Sequence, residues 1–189
     1  MAAKAKASRY LWLLRHAKTV TDPPPGGSDF DRVLAPRGRR DATALGRLFA
    51  GQEAGLGPAL QGIPRPAVAL VSPAARTMAT AELALATMAE PPALRFDETL
   101  YGAEPFEVLA LVQALDEGAE AAMVVGHNPT ALDLSRDLLA PRDKKALSLA
   151  ERRGFPTCAL GVYAFRGHRW SDVDFEAAKL VALLTPPYG

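Results

Sequence analysis

The sequence predicts a single α/β domain of three layers, α/β/α, built around a mainly parallel central sheet. A strand-sized apolar run, a polar end and an amphipathic helix follow one another three times along the chain, the pattern of a parallel sheet with helices on its faces. At roughly 150 residues per domain, a length of 189 leaves no room for a second full domain. Hydrophobic residues make up 49% and charged residues 23%, enough apolar side chain for a proper core, which excludes a disordered chain or a coiled coil. The expected organisation is a flexible N-terminus over 1–8 and one domain over 9–189.

Tyr10 to Leu14 is the first strand, an apolar run that stops at Arg15-His16. Three prolines and two glycines between Thr21 and Ser28 forbid helix and mark a loop. Pro36 opens a helix carrying Ala42, Leu45, Leu48 and Phe49 at helical spacing, with Gly51 near its end. Ala67 to Val71 is the second strand. It ends at Ser72-Pro73, read as cap and first position of a helix with Arg76 in its first turn. Val108, Leu111, Val112 and Leu115 signal a further helix. Ala121 to Val125 is the third strand, ending at Gly126-His127-Asn128-Pro129, with Asn128 read as the cap of the helix bearing Ala131, Leu134 and Leu138. Residues 158–165 read as a fourth strand holding Cys158 as an inert core thiol. Residues 177–184 fit helix or strand equally well.

Composition removes several classes of function. Lys and Arg number 22 against 21 Asp and Glu, a net charge of +1, which supplies no global field for nucleic acid or an anionic membrane. One cysteine rules out an internal disulfide framework, and with three histidines no Cys/His zinc constellation can be assembled. No metal or cofactor is expected. No run reaches the length of a membrane span, and MAAKAKASRY has no apolar signal segment; a cytoplasmic address is the expectation.

Arg15 and His16 follow the first strand, Arg76 the second and His127 the third. In open parallel sheets the ligand site lies beyond the carboxyl ends of the strands, so two guanidiniums and two imidazoles should meet there. Such a group is an anion pocket, because the planar donor fork of arginine suits phosphate oxygens. A phosphoryl group, or a phosphate or oxyanion ligand, is its natural guest.

LLRHAKT (13–19), SPAARTMAT (72–80) and VVGHNPT (124–130) resemble, in order and spacing, the defining motifs of the histidine phosphatase superfamily. DFDRVLAPRGRRDA (29–42), ETLYGA (98–103), GHNP and FPT (155–157) are similar to its compact SixA-type phosphohistidine phosphatases, and the likeness runs from about Tyr10 onward. The resemblance implies a phosphoglycerate mutase-like fold. It implies a nucleophilic His16 that carries the phosphoryl group as a covalent phosphohistidine, with Arg15, Arg76 and His127 on the nonbridging oxygens and no metal needed. Glu98 in ETLYG stands where many members place the acid that protonates the leaving group, with Asp97 as its neighbouring competitor. Thr19, Arg32 and Asn128 are further candidates for substrate contact, although turn, surface and capping roles account for them as well. Cys158 stands where SixA-type proteins often have glycine. His168, in an apparent hairpin turn, reads as exposed and non-functional.

The leading function is hydrolysis of phosphohistidine on a phosphorelay-type protein by a monomeric enzyme. The alternative within the enzyme class is a small-molecule or phosphoserine-type phosphomonoesterase. A mutase is disfavoured because no large insertion shields a phosphoenzyme from water. A non-catalytic phosphate-binding module would be marked by loss of His16 or His127, and both are present.

Overall fold

In the computed structural model, which describes residues 8–51, 60–143, 146, 148 and 154–188, the apolar run after Arg9 is the centre of strand β1 (Ser8–Arg15). Most of the predicted N-terminal segment, residues 1–7, and parts of the loops 51–66 and 140–156 lie outside the described residues. The chain continues through α1 (Pro36–Ala50), β2 (Val68–Val71), α2 (Ala75–Leu85), β3 (Ala93–Phe96), α3 (Pro105–Gln113), β4 (Ala121–Gly126), α4 (Thr130–Asp137), β5 (Leu160–Arg166) and β6 (Lys179–Leu184). The six strands form one sheet in the order β3-β2-β4-β1-β5-β6. β3, β2, β4 and β1 are mutually parallel, and β5 runs antiparallel to both β1 and β6.

Period-two alternation divides the central strands between two cores. Trp12 and Leu14 of β1, with Met123 and Val125 of β4, pack under Ala42, Leu45 and Phe49 of α1 and Ala81 and Leu85 of α2. Leu11 and Leu13, with Ala122 and Val124, pack on Val108 and Val112 of α3 and Leu134 of α4. Because both faces are covered, Leu11 to Leu14 of β1 and Ala121 to Val125 of β4 are apolar without interruption, which is why they were legible as buried parallel strands. The Trp12 and Phe49 rings meet edge-on with centroids 5.7 Å apart.

The structure changes or settles five local readings. The edge strand β3 was not expected: its four residues are all exposed, so it carries neither an alternating nor a continuous buried pattern. Residues 179–184 are strand, because the exposed edge of β5 offers them a ladder of backbone partners. Ser72 does not cap α2, whose N-cap is Ala74, and Asn128 does not cap α4, whose N-cap is Pro129. In both places the polar side chain is used across the sheet edge instead. Cys158 lies not in β5 but in the turn before it, with φ +63°, and its N–H donates to the His16 carbonyl at 3.0 Å. The thiol is buried, and desolvation pushes it up to about 12, so it stays protonated.

A left-handed φ costs a side-chain-bearing residue about 1 kcal/mol, whereas glycine adopts it freely. Cys158→Gly should therefore unfold at higher urea than Cys158→Ala, by about 1 kcal/mol, since both lose the thiol and only glycine loses the strain. Equal midpoints would show that the turn relaxes.

Candidate active site

The register of the sheet assembles the site. Leu14 is level with Val125, which is level with Val71, and Arg15 is level with Gly126. One step further along each strand come His16, His127 and Ser72. The His16 N–H donates to the Gly126 carbonyl and the Ser72 N–H to the Val125 carbonyl, at 3.0 and 3.1 Å. Thr80 on α2 accepts from the Ala17 N–H at 2.9 Å while donating to the Arg76 carbonyl at 2.6 Å. The chain after His16 is thereby tied to the helix that carries Arg76.

His16 is buried, and its Nδ1 lies 2.8 Å from the Ala17 carbonyl oxygen. A carbonyl only accepts, so Nδ1 holds the proton and Nε2 keeps its lone pair. Burial, reinforced by the guanidiniums of Arg15, Arg76 and Arg32, lowers the imidazole to about 4. His127 is also buried, and its ring centroid lies 5.3 Å from that of His16. Arg76 Nε donates to His127 Nδ1 at 3.3 Å, which places the His127 proton on Nε2, 2.8 Å from Ser72 Oγ. Desolvation first, then Arg76 and His16, lower His127 to about 3. Two neutral imidazoles therefore stand together at pH 7 at one edge of the sheet, beside the buried Arg76 and the half-buried Arg15.

Arg15 donates from NH1 to the Phe155 carbonyl at 2.8 Å, while its buried Nε has no partner among the described residues. Asn128 Nδ2 donates to the same carbonyl at 3.2 Å, so it anchors the FPT segment. Arg32 reaches Thr19 Oγ1 at 2.7 Å and the Val20 carbonyl at 2.8 Å. Arg32 and Thr19 thus stand beside the site, with the Arg32 donors directed at Thr19 and at the loop. Glu98 begins a single 3-10 turn after β3, where its carbonyl accepts from the Tyr101 N–H at 3.0 Å; it is exposed, and its side chain has no hydrogen-bond or ion-pair partner among the described residues. Asp97 caps that turn through the Thr99 N–H at 3.0 Å. His168 is exposed in the turn after β5.

No protein-family model matches the chain. An uncharacterized protein of Mycobacterium tuberculosis (strain ATCC 25618 / H37Rv) is 36% identical over 175 residues, covering 92% of this chain and 99% of that one. A solved structure from Nakamurella multipartitia, which carries the name of a SixA phosphohistidine phosphatase, is 31% identical with a TM-score of 0.74, covering 96% of this chain and 98% of that one. The chain belongs to the histidine phosphatase superfamily, in its SixA-type branch. The protein histidine phosphatase SixA solved with tungstate shares the fold at 21% identity and a TM-score of 0.70, covering 94% of this chain and 97% of that one.

Two polar residues of this SixA-type site were not singled out from sequence. Asp29 accepts from Arg76 NH2 at 2.9 Å, from Arg32 NH1 at 2.8 Å and from Tyr101 Oη at 3.1 Å. Tyr101 stands edge-on to His127 at 5.5 Å and to Phe30 at 5.0 Å. Both belong to quoted motif segments, DFDR and ETLYG, but an aspartate in a loop and a tyrosine after a turn carry no spacing signal. The Arg32 guanidinium, with help from Arg76 and Tyr101, holds Asp29 down to about 2. Among the described residues no helix is long and apolar enough to cross a membrane.

The depressed imidazoles of this histidine phosphatase have a pH signature. Unfolded His16 and His127 take up protons near 6.5, whereas the folded groups resist until about 4 and about 3. Stability present above 6.5 is therefore lost as pH falls toward those lower values, because the unfolded chain binds more protons there. Urea midpoints followed from pH 7 to pH 4.5 should fall, and the slope should flatten in His16→Ala/His127→Ala. An unchanged slope would mean that neither ring is held neutral by the fold.

Proposed function

We propose that this histidine phosphatase hydrolyses phosphohistidine on a protein substrate through a covalent phosphohistidine on His16, without a metal. The observation that carries the reading is the Nδ1–H of His16 locked on the Ala17 carbonyl at 2.8 Å, which leaves Nε2 as a neutral nucleophile beside Arg15, Arg76 and His127. Nε2 attacks phosphorus in line. The new N–P bond forms as the bond to the leaving group breaks, and the leaving nitrogen takes up a proton. Water then attacks the phosphohistidine, releases inorganic phosphate and restores the imidazole. The guanidinium groups of Arg15 and Arg76 and the Nε2–H of His127 offset the charge on the three equatorial oxygens, which is the main demand of phosphoryl transfer. Arg32, Thr19 and Asn128 hold the loops that bring those groups together.

Support for an imidazole leaving group comes from the mouth of the site. Phe30 and Tyr101 form an edge-on aromatic pair beside His127, a surface on which a flat ring can pack. Glu98, on the same turn as Tyr101 and exposed, is the candidate general acid. An imidazole departs more readily than an alkoxide, so the two substrate classes depend on that acid differently.

The deciding experiment is a parallel assay of wild type and Glu98→Gln on a phosphohistidine protein, phosphoramidate, p-nitrophenyl phosphate and a panel of sugar phosphates. Phosphohistidine and phosphoramidate should be preferred, with only a modest loss in Glu98→Gln. On sugar phosphates or phosphoserine the same change should cost on the order of 100-fold. Efficient sugar-phosphate turnover would replace this reading with the small-molecule phosphomonoesterase.

A further inference from the structure

Resting on the reaction proposed above, we propose that Asp29 is a positioning residue, gripping the Arg76 guanidinium so that Arg76 aims at His127 and holds that ring in one tautomer. Asp29 grips with two oxygens at once. Its backbone carbonyl accepts from Arg76 NH1 at 2.6 Å, and its carboxylate Oδ2 accepts from NH2 at 2.9 Å. With both ends of the fork held, Nε points at His127 Nδ1, 3.3 Å away. A nitrogen that accepts from a guanidinium carries no proton, so His127 keeps its hydrogen on Nε2, beside Ser72 Oγ. The chain of contacts from Asp29 through Arg76 to His127 thus sets which His127 nitrogen is the donor.

The rest of the carboxylate environment serves the same end. Arg32 NH1 holds Oδ1 at 2.8 Å and Tyr101 Oη shares Oδ2 at 3.1 Å, while the Tyr101 ring lies 5.7 Å from the Arg76 guanidinium carbon and 5.5 Å from the His127 ring. Asp29 is therefore fixed from its own loop, from α2 and from the turn after β3. A guanidinium has five N–H donors. Three are directed at Asp29 and His127, which leaves one on each terminal nitrogen for an oxyanion. Arg15, Arg32 and Arg76 against Asp29 leave a net charge that matches a phosphoryl dianion, rather than exceeding it.

The opposite role for the same contact is a latch in which the carboxylate competes with phosphate for Arg76, and the two roles give opposite signs. Asp29→Ala and Asp29→Asn would be made in the wild-type and Arg76→Ala backgrounds. Each would be followed by tungstate affinity, by steady-state kinetics on phosphoramidate and by the ring nitrogen NMR signals of His127, with thermal unfolding as the control for folding. Asp29→Ala should lower kcat on the order of 10- to 100-fold, change KM less, and weaken tungstate binding roughly tenfold. In Arg76→Ala it should add no further loss, since Asp29 acts through Arg76. The His127 signals should move from one tautomer to a mixture. Asp29→Asn, which keeps the backbone acceptor and a side-chain oxygen, should retain more of each property and serves if the alanine variant does not fold. Tighter tungstate binding in Asp29→Ala, additive losses with Arg76→Ala, or unmoved His127 signals would each overturn the proposal. A wild type inert on every phosphorylated substrate would instead defeat the proposed reaction, while the tautomer and tungstate measurements still judge Asp29.

Discussion

His16→Ala is expected to lose on the order of 10,000-fold or more in turnover, because it removes the proposed nucleophile and not merely a contact to the transition state. Rapid acid-free quenching of the wild type with labelled substrate should trap an acid-labile, alkali-stable phosphoenzyme, and the variant should trap none. The ring follows β1, which is paired on both sides, with β4 and with β5. Its N–H bonds Gly126, its carbonyl accepts from Cys158, and its Nδ1 faces Ala17. Removal of the ring takes none of the backbone bonds with it, so the variant should fold normally and bind tungstate through Arg15 and Arg76. A variant that still formed a phosphoenzyme would assign the nucleophile elsewhere, with His127 the first candidate to examine.

Gly38→Ala should be the most destabilising single methyl in the described chain. Gly38 lies in the first turn of α1, and a Cβ there would fall 2.0 Å from the Lys18 carbonyl oxygen and 2.8 Å from the Lys18 nitrogen. Both are backbone atoms, so no side-chain rotation relieves the overlap, and either α1 or the loop after His16 must move. The same Lys18 carbonyl accepts from the Ala35 N–H at 2.9 Å, so helix and loop cannot separate without breaking that bond. Overpacking of this kind should cost about 3 kcal/mol, read from urea unfolding, and activity should fall with it because the displaced loop begins two residues after His16. An unfolding midpoint equal to that of wild type would show that the loop yields freely.

Three of the four parallel strands, and the basic residues that follow them, were readable because each signal is local. Leu11 to Leu14 and Ala121 to Val125 are buried on both faces, and that demand writes itself into a short continuous stretch of apolar residues. Arg15, His16, Arg76 and His127 follow directly on such runs, so their convergence is a consequence of strand direction. β3 escaped because an exposed edge strand is selected for nothing that shows in four residues. Residues 179–184 could be either state until β5 supplied a partner.

The caps were misread for a different reason. Ser72 and Asn128 have the side chains of helix caps and stand where caps belong, yet Ser72 Oγ meets His127 and Asn128 meets the Phe155 carbonyl. A short polar side chain at a strand end has two courses open to it, and packing across the sheet edge decides between them. Cys158 is the same case in the backbone, placed in a left-handed turn that the strand-like run after it concealed.

By itself the sequence determined the α/β architecture, the mainly parallel sheet and the arginine and histidine side chains at one sheet edge, because periodicity and chain direction are properties of neighbouring residues. Only the tertiary structure decided which nitrogen of each imidazole holds the proton, that both rings are kept neutral, and that Asp29 and Tyr101 close around Arg76 from segments 47 and 25 residues away in the chain. Those properties depend on distances of about 3 Å between groups far apart in sequence, and no local pattern encodes them.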